Sequence, residues 1–401
     1  MKMKKEIYLD HAATTPLAKE VLKEMIPYFS ENYGNPGSFH RKGLTAKTAV
    51  DEAREKIASI LNCSPEEIIF TSGGTEGDNL AVKGTAFARR GEGTHLITTK
   101  IEHKAILEPC RYLEKEFGFK TSYLSVDKYG LVTAEQVKKA LTAETALVSV
   151  MYANNEVGTI EPIAEIGEMI EQENKIREKR GWPKVYFHTD ACQAANHLTL
   201  DVKRLKVDLM TLNGGKIYGS KGTGLLYVRK GINLHPLLHG GGQEGGLRSG
   251  TEDVGGIAGL AKALELAERM KTKENARLVK LREKLISGIK QRIPHALLSG
   301  HAVKRLVNNI HFCFPGIEGE SLILHLNEKG IYAATGSACN SRELKPSYVL
   351  LALGISKKVV HGSLRLTLGR ETAEKDIDYV LEVLPPIVEM LRKISPVKVK
   401  Q

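Results

Sequence analysis

Three stretches of the chain carry side chains whose types and spacing suit one kind of chemistry. In "DLMTLNGGKIYGSKGTGLLYV" (208–228) a strand-like run ends in two glycines and then Lys216, within a loop that also holds Gly219, Gly222 and Gly224. A lysine in so tight a turn can hold phosphate as a point charge or condense with a cofactor aldehyde. Taken alone, it reads equally well as a surface lysine beside a hairpin. In "FTSGGTEGDN" (70–79) a strand runs through a Ser-Gly-Gly turn into Thr75-Glu76, which opens a helix. The free amides of that helix start, with the dipole and the Thr75 hydroxyl, suit a phosphate, although such starts are also ordinary caps. In "FHTDACQA" (187–194) a strand ends at Asp190, followed by Gln193. An acid there can simply cap the next helix, but open α/β sheets build their ligand sites at this edge.

Pyridoxal phosphate needs all three: a lysine for its aldehyde, an amide nest for its phosphate, and an acid beside its pyridine nitrogen. The acid keeps that nitrogen protonated, so the ring can draw electrons from a substrate Cα. A fourth stretch, "ATGSACNSRE" (334–343), sets Cys339 among small and hydroxylated residues. A buried cysteine normally sits among apolar neighbours. This setting is expected to be an exposed loop.

The elements that must position these residues are legible as alternation. Strands are predicted at 67–72, 94–99, 145–152, 184–190, 207–213 and 224–228, with helices between them such as 46–62 and 75–90. That order predicts an α/β layer with a mostly parallel sheet. Beyond about residue 260, helix-rich text gives way to "VNNIHFCF" and "SLRLTLGR". The expected organisation is a large domain over 17–260 and a smaller α+β domain made of 1–16 and 261–401.

The 401 residues are 42% hydrophobic and 26% charged, ordinary for a globular protein. The net charge of +11 comes from scattered basic residues rather than a tail, so nucleic acid is not expected as the direct ligand. The five cysteines lie far apart without CxxC spacing, which predicts neither a disulfide framework nor a structural metal site. No apolar run is long enough for a signal or a membrane span, so the expected setting is the cytoplasm.

Taken together, the motifs identify a family. "YLDHAATTP" (8–16), "GNPGSFH" (34–40), "FTSGGTEGDN", "IEHKAI" (101–106), "ANNEVGT" (153–159), "HTDACQA", "GGKIYGSKGTG" (214–224), "RSGTED" (248–253), "TGSACNS" (335–341) and "SLRLTLGR" (363–370) occur in the order found in cysteine desulfurases of the NifS/IscS type. The chain resembles these nearly end to end, within the class-V aminotransferase-like proteins of PLP fold type I. The cysteine stretch matches the branch with a long cysteine loop.

The resemblance implies a fold and roles: a large domain with a seven-stranded type of sheet, and Lys216 as the lysine bonded to pyridoxal 5'-phosphate. Asp190 would face the pyridinium nitrogen, Gln193 the phenolic oxygen, and His103 the ring face, where it would also assist proton transfer. Gly74 and Thr75 would hold the phosphate, joined by Thr251 from a second copy, which implies a homodimer with shared sites. Asn155 and Arg365 would orient the substrate, since a guanidinium fork matches a carboxylate. Cys339 would accept the substrate sulfur as a persulfide, converting L-cysteine to L-alanine. The sulfur would pass to an acceptor such as an iron–sulfur scaffold, or to tRNA thiolation, with any iron–sulfur contact at Cys339 transient. The other four cysteines read as core or incidental.

Two departures stand out. The family usually has Ser-x-His before the lysine; here Asn213-Gly214-Gly215 precedes Lys216, so phosphate contacts from Asn213 and the Gly215 backbone are expected instead. The stretch 173–184 looks longer than usual and is expected to be a surface helix and turn. A selenocysteine lyase would use the same pocket, and an aminotransferase would not need Cys339. A non-catalytic sulfur-relay or scaffold protein would not need Lys216, Asp190 and His103 together.

Overall fold

Four of the predicted strands are buried at every position, as a sheet covered on both faces requires. The computed structural model describes residues 6–336 and 346–396, so Cys339 and the loop expected around it lie outside the described residues. In chain order the strands are β1 (Ile7–Tyr8), β2 (Ile68–Thr71), β3 (His95–Thr99), β4 (Lys120–Leu124), β5 (Thr145–Ser149), β6 (Tyr186–Asp190), β7 (Leu209–Asn213), β8 (Gly224–Val228), β9 (Leu297–Leu298), β10 (Asn309–Cys313), β11 (Ile331–Tyr332) and β12 (Ser363–Thr367). Strands β2 to β8 form a seven-stranded sheet in the order β2-β8-β7-β6-β5-β3-β4. Only β8 breaks the parallel pattern, running antiparallel to both β2 and β7.

The period-2 alternation of side chains divides this sheet between two cores. Ile68, Phe70, Met210, Leu212, Leu225 and Tyr227 point into one. Ile69, Leu209, Leu226 and Val228 point into the other. Each fully buried Leu, Ile or Val contributes roughly 1.5–3 kcal/mol relative to exposure, so the sheet is a stiff platform for what lies at its edge. Strand β4 was not among the predicted strands. Its residues Lys120–Leu124 are half-exposed at the sheet's edge, so the apolar run that marks the other strands is missing.

A second hydrophobic cluster surrounds a three-stranded antiparallel sheet, β12-β10-β9, and the short parallel pair β1-β11. The chain start therefore packs with the last third of the sequence. Beyond β1, Asp10 forms a parallel bridge with Thr367 of β12.

One helix, Val254–Arg292, serves both regions over its 39 residues, about 58 Å of rise. Val254 to Leu266 pack in the large-sheet core, and Leu278 to Ile289 in the second cluster. Asp253 caps its start by accepting from Gly256 N at 3.0 Å. Gly259 lets the helix Lys19–Met25 come close, because a Cβ there would sit 2.7 Å from Met25 Sδ. The stretch 173–184 is not simply surface: Glu173 to Lys179 close the helix Ile163–Lys179, and Arg177 is buried, donating to the carbonyls of Thr142, Ala143 and Pro183.

Candidate active site

The parallel strands end along one edge, and the residues that follow them meet in one cavity of about 240 Å³. After β2 come Gly74 and Thr75, after β3 His103, after β5 Asn155, after β6 Gln193, and after β7 Lys216; Asp190 and Asn213 close their own strands. Arg365 enters from β12 of the smaller sheet. This is the edge at which open α/β sheets bind ligands.

The turn after β2 forms a cradle. Gly73 adopts φ +140°, a conformation that glycine alone takes readily, and the chain turns from it into the helix Gly74–Asn79. A Cβ on Gly74 would lie 2.8 Å from Cys192 Sγ and 3.4 Å from Asn213 Nδ2, so only glycine brings the backbone this close. Glu76 fixes the turn by accepting from Ser72 N at 2.8 Å and from Arg248 Nε at 2.9 Å. Burial alone would raise the Glu76 pKa; the bonds from Arg248 and Ser72 outweigh it and hold the carboxyl below its ordinary value.

Acidic and imidazole groups lie beneath the cavity. Asp190 accepts from Cys192 N at 2.9 Å. Asp78, fully buried, also lines the cavity, and its Oδ1 has no hydrogen-bond partner among the described residues. Burial, reinforced by the charge of Asp190, holds Asp78 well above the usual carboxyl range. His188, on β6 two residues before Asp190, is held by Ser149 Oγ and Thr211 Oγ1, each at 2.9 Å. Burial lowers its pKa to about 4, so it stays neutral.

Lys216 Nζ donates to the carbonyls of Ala12 and Ala13 at 3.0 and 2.5 Å. Gln193 Nε2 donates to Ala12 O at 2.9 Å. His103 caps the helix Lys104–Phe117, its Nδ1 accepting from Ala105 N at 3.2 Å. Arg365, almost wholly buried, donates from Nη2 to Asp10 Oδ1 at 2.7 Å and from Nη1 to Asn155 O at 3.0 Å; its Nε has no hydrogen-bond partner among the described residues. Glu156 accepts from Ser347 Oγ at 2.5 Å. Burial raises the Glu156 pKa to about 7, against the opposing pull of the Ser347 bond and the Arg365 charge.

This arrangement fits pyridoxal phosphate: a glycine cradle that any side chain would fill, a lysine, and a buried acid pair with an unpartnered oxygen. Gly74, Thr75 and Asn213 would hold the phosphate, and Asp190 and Gln193 the ring.

Two predicted positions do not line this cavity. Gly215 lines an adjoining cavity that shares Gly74, Thr75, Asn213 and Lys216 with this one, and its N–H donates to Asn213 Oδ1 at 2.9 Å. That bond turns the Gly215 amide toward Asn213, whose Nδ2 lies beside the Gly74 cradle and would be the donor there. Thr251 is exposed and does not line the cavity of its own chain, while Cys339 lies outside the described residues. Sequence reading missed Asp10, Asp78 and Glu156, and it took Cys192 for core or incidental; Cys192 is buried and also lines the cavity. Position inside a quoted motif was the available signal for each: "YLDHAATTP" for Asp10, "FTSGGTEGDN" for Asp78, "ANNEVGT" for Glu156 and "HTDACQA" for Cys192. Among the described residues no cluster of His, Cys, Asp and Glu could hold a metal, and no helix is long and apolar enough to cross a membrane.

Comparison with known proteins agrees with this geometry. The model of the class-V aminotransferase family matches residues 7–380. Cysteine desulfurase IscS of Methanosarcina thermophila is 52% identical, over 99% of this chain and 95% of its own length. The protein of the same name from Clostridium botulinum is 52% identical, over 98% of this chain and 97% of its own. Among solved structures, a NifS-like protein superposes with a TM-score of 0.88 at 38% identity, covering 97% of this chain and all of its own. SspA in complex with cysteine superposes at 0.78 with 37% identity, covering 90% of this chain and 98% of its own.

Proposed function

Because the chain belongs to the class-V aminotransferase family, we propose that it is a pyridoxal-phosphate-dependent cysteine desulfurase, which takes the sulfur from L-cysteine and leaves L-alanine. The observation that carries this reading is the convergence of Lys216, Asp190 and the Gly74 cradle on one cavity, with Arg365 facing them from the other sheet.

When bound, pyridoxal phosphate supplies an electrophilic carbonyl and a ring that withdraws electrons from the substrate Cα. Lys216 holds it through Nζ and serves as base for the Cα proton, with His103 beside it. Asp190 keeps a proton at the ring nitrogen. Asn155 and the Arg365 Nε–H orient the substrate carboxylate. The Cys339 thiolate attacks the substrate Sγ; the Cβ–S bond breaks, its electron pair stays on Cβ, and a proton completes the methyl group of alanine. The product on the protein is a Cys339 persulfide.

The enzyme acts as a homodimer in which Thr251 of each copy completes the other's phosphate site. It works in the cytoplasm, where thiols stay reduced. The persulfide sulfur passes to an acceptor protein for iron–sulfur cluster assembly or tRNA thiolation.

The test is incubation of the cofactor-loaded protein with L-cysteine and a thiol, which should release alanine and sulfide in equal amounts. Cys339→Ser should keep the cofactor's visible band and its shift on L-cysteine, yet release no sulfide. Sulfide release by the serine variant at the parent rate would remove Cys339 from the role.

A further inference from the structure

The guanidinium of Arg365 does not face the cavity as a bare cation. Its Nη2 is paired with Asp10 Oδ1 at 2.7 Å, the Arg365 side chain being 3% and the Asp10 side chain 19% exposed. A second donor, on Nη1, is spent on Asn155 O at 3.0 Å. Of the five guanidinium N–H groups, Nε–H and one on each Nη remain among the described residues, where Nε is buried without a hydrogen-bond partner. The fold places Asp10 here by main-chain contact: Asp10 bridges Thr367, two residues along β12 from Arg365, and Thr367 N donates to Leu9 O at 2.7 Å. The ion pair therefore belongs to the β1–β12 junction and not to a chance surface rotamer.

An ion pair this well shielded leaves the anchor with its directed N–H groups and little net positive charge. One incoming carboxylate can still take those N–H groups. A second anionic group on the same ligand would meet the field of Asp10 with Arg365 already paired. The other cations on the cavity wall are Lys104, at the start of the helix Lys104–Phe117, and Lys216, which faces the carbonyls of Ala12 and Ala13.

We propose that Asp10 is a specificity-determining residue: through its ion pair with Arg365 it admits an α-amino acid with one carboxylate and disfavours one whose side chain is also anionic. This rests on Arg365 being the carboxylate anchor of the reading above. The discrimination lies in the Asp10 charge, because the hydrogen bond alone would orient Arg365 equally well for either ligand.

The experiment uses the full-length, cofactor-loaded protein and titrates its visible band with L-alanine and with L-aspartate. Asp10→Asn keeps an acceptor oxygen toward Arg365 and removes the charge. The ratio of the two dissociation constants should shift about tenfold toward L-aspartate, as expected for one unit charge a few ångströms away in a partly shielded site. Asp10→Glu restores the charge and should keep the parent ratio. An unchanged ratio in Asp10→Asn, or an equal shift in Asp10→Glu, overturns the role of Asp10. A parent protein that binds neither amino acid and does not turn over L-cysteine would instead overturn the reading of the site. Melting temperatures of both variants separate a loss of fold from a change in preference.

Discussion

Ser347 Oγ donates to Glu156 Oε2 at 2.5 Å, inside the cavity wall and one residue from Asn155. Gly336 packs against the same carboxyl, since a Cβ there would lie 2.7 Å from Glu156 Oε2 and 3.2 Å from His311 Nε2. The last described residue before the segment carrying Cys339 and the second one after it thus meet at a single buried acid.

That acid should shape stability against pH. Its folded pKa of about 7 lies above the ordinary 4.5, so the folded chain holds the proton more tightly than the unfolded one. The stabilising contribution is complete below about pH 4.5 and is lost as pH rises through 7; for a shift of this size it amounts to about 3 kcal/mol. Glu102, raised by burial to about 8, acts in the same sense. Thermal unfolding from pH 5 to 8 should show the parent losing stability, and Glu156→Gln should flatten part of the slope. Parallel curves for the two proteins would deny Glu156 that contribution.

Asn213 is expected to be the turn's grip on the cofactor phosphate. Its Oδ1 is occupied by Gly215 N, which leaves Nδ2 toward the Gly74 cradle. A hydrogen bond to a charged group is worth roughly 1.5–3 kcal/mol, so Asn213→Ala should lose cofactor about tenfold to a hundredfold more readily during dialysis. Gly215→His should change retention only modestly. A Cβ at Gly215 meets Asn213 Oδ1 at 3.4 Å and Lys221 Cγ at 3.5 Å, which are ordinary contacts. Retention in Asn213→Ala equal to the parent's would leave the phosphate to Gly74, Thr75 and Thr251.

The reading of Thr251 is tested by mixing chains. Arg248, three residues earlier, is tied to Glu76 beside the cradle, yet Thr251 itself is exposed. Lys216→Ala and Thr251→Ala chains, each largely inactive alone, should regain alanine formation when recombined, because one of the two sites in a mixed dimer is then intact. Recombined dimers that stay silent would place Thr251 outside a shared site.

What the sequence disclosed follows from how local each signal is. Strand β8 has the bounds expected for it, because a short apolar run between glycines defines a strand by itself. The predicted helix over 75–90 appears as Gly74–Asn79 and Thr85–Ala88 with a π-helical turn at Leu80–Gly84 between them, a change of hydrogen-bond register that periodicity does not resolve. Gly74, Thr75, His103, Asn155, Asp190, Gln193 and Lys216 come together in the cavity because their motifs mark strand ends, whereas Arg365 lies within β12 and Thr251 does not line the cavity. Asp10–Arg365 and Ser347–Glu156 span 355 and 191 residues, and no pattern in one sequence pairs residues so distant.

The place of β1 has a consequence for how the protein is made. Ile7 and Tyr8 are made long before their partners Ile331 and Tyr332, so this pair cannot form until late in synthesis. Until then β1 has no strand to pair with, and Asp10 has no Arg365 to meet. A nascent chain can therefore raise the seven-stranded sheet while its binding edge stays open. The part of the cavity wall that Arg365 supplies is then added after the sheet is in place.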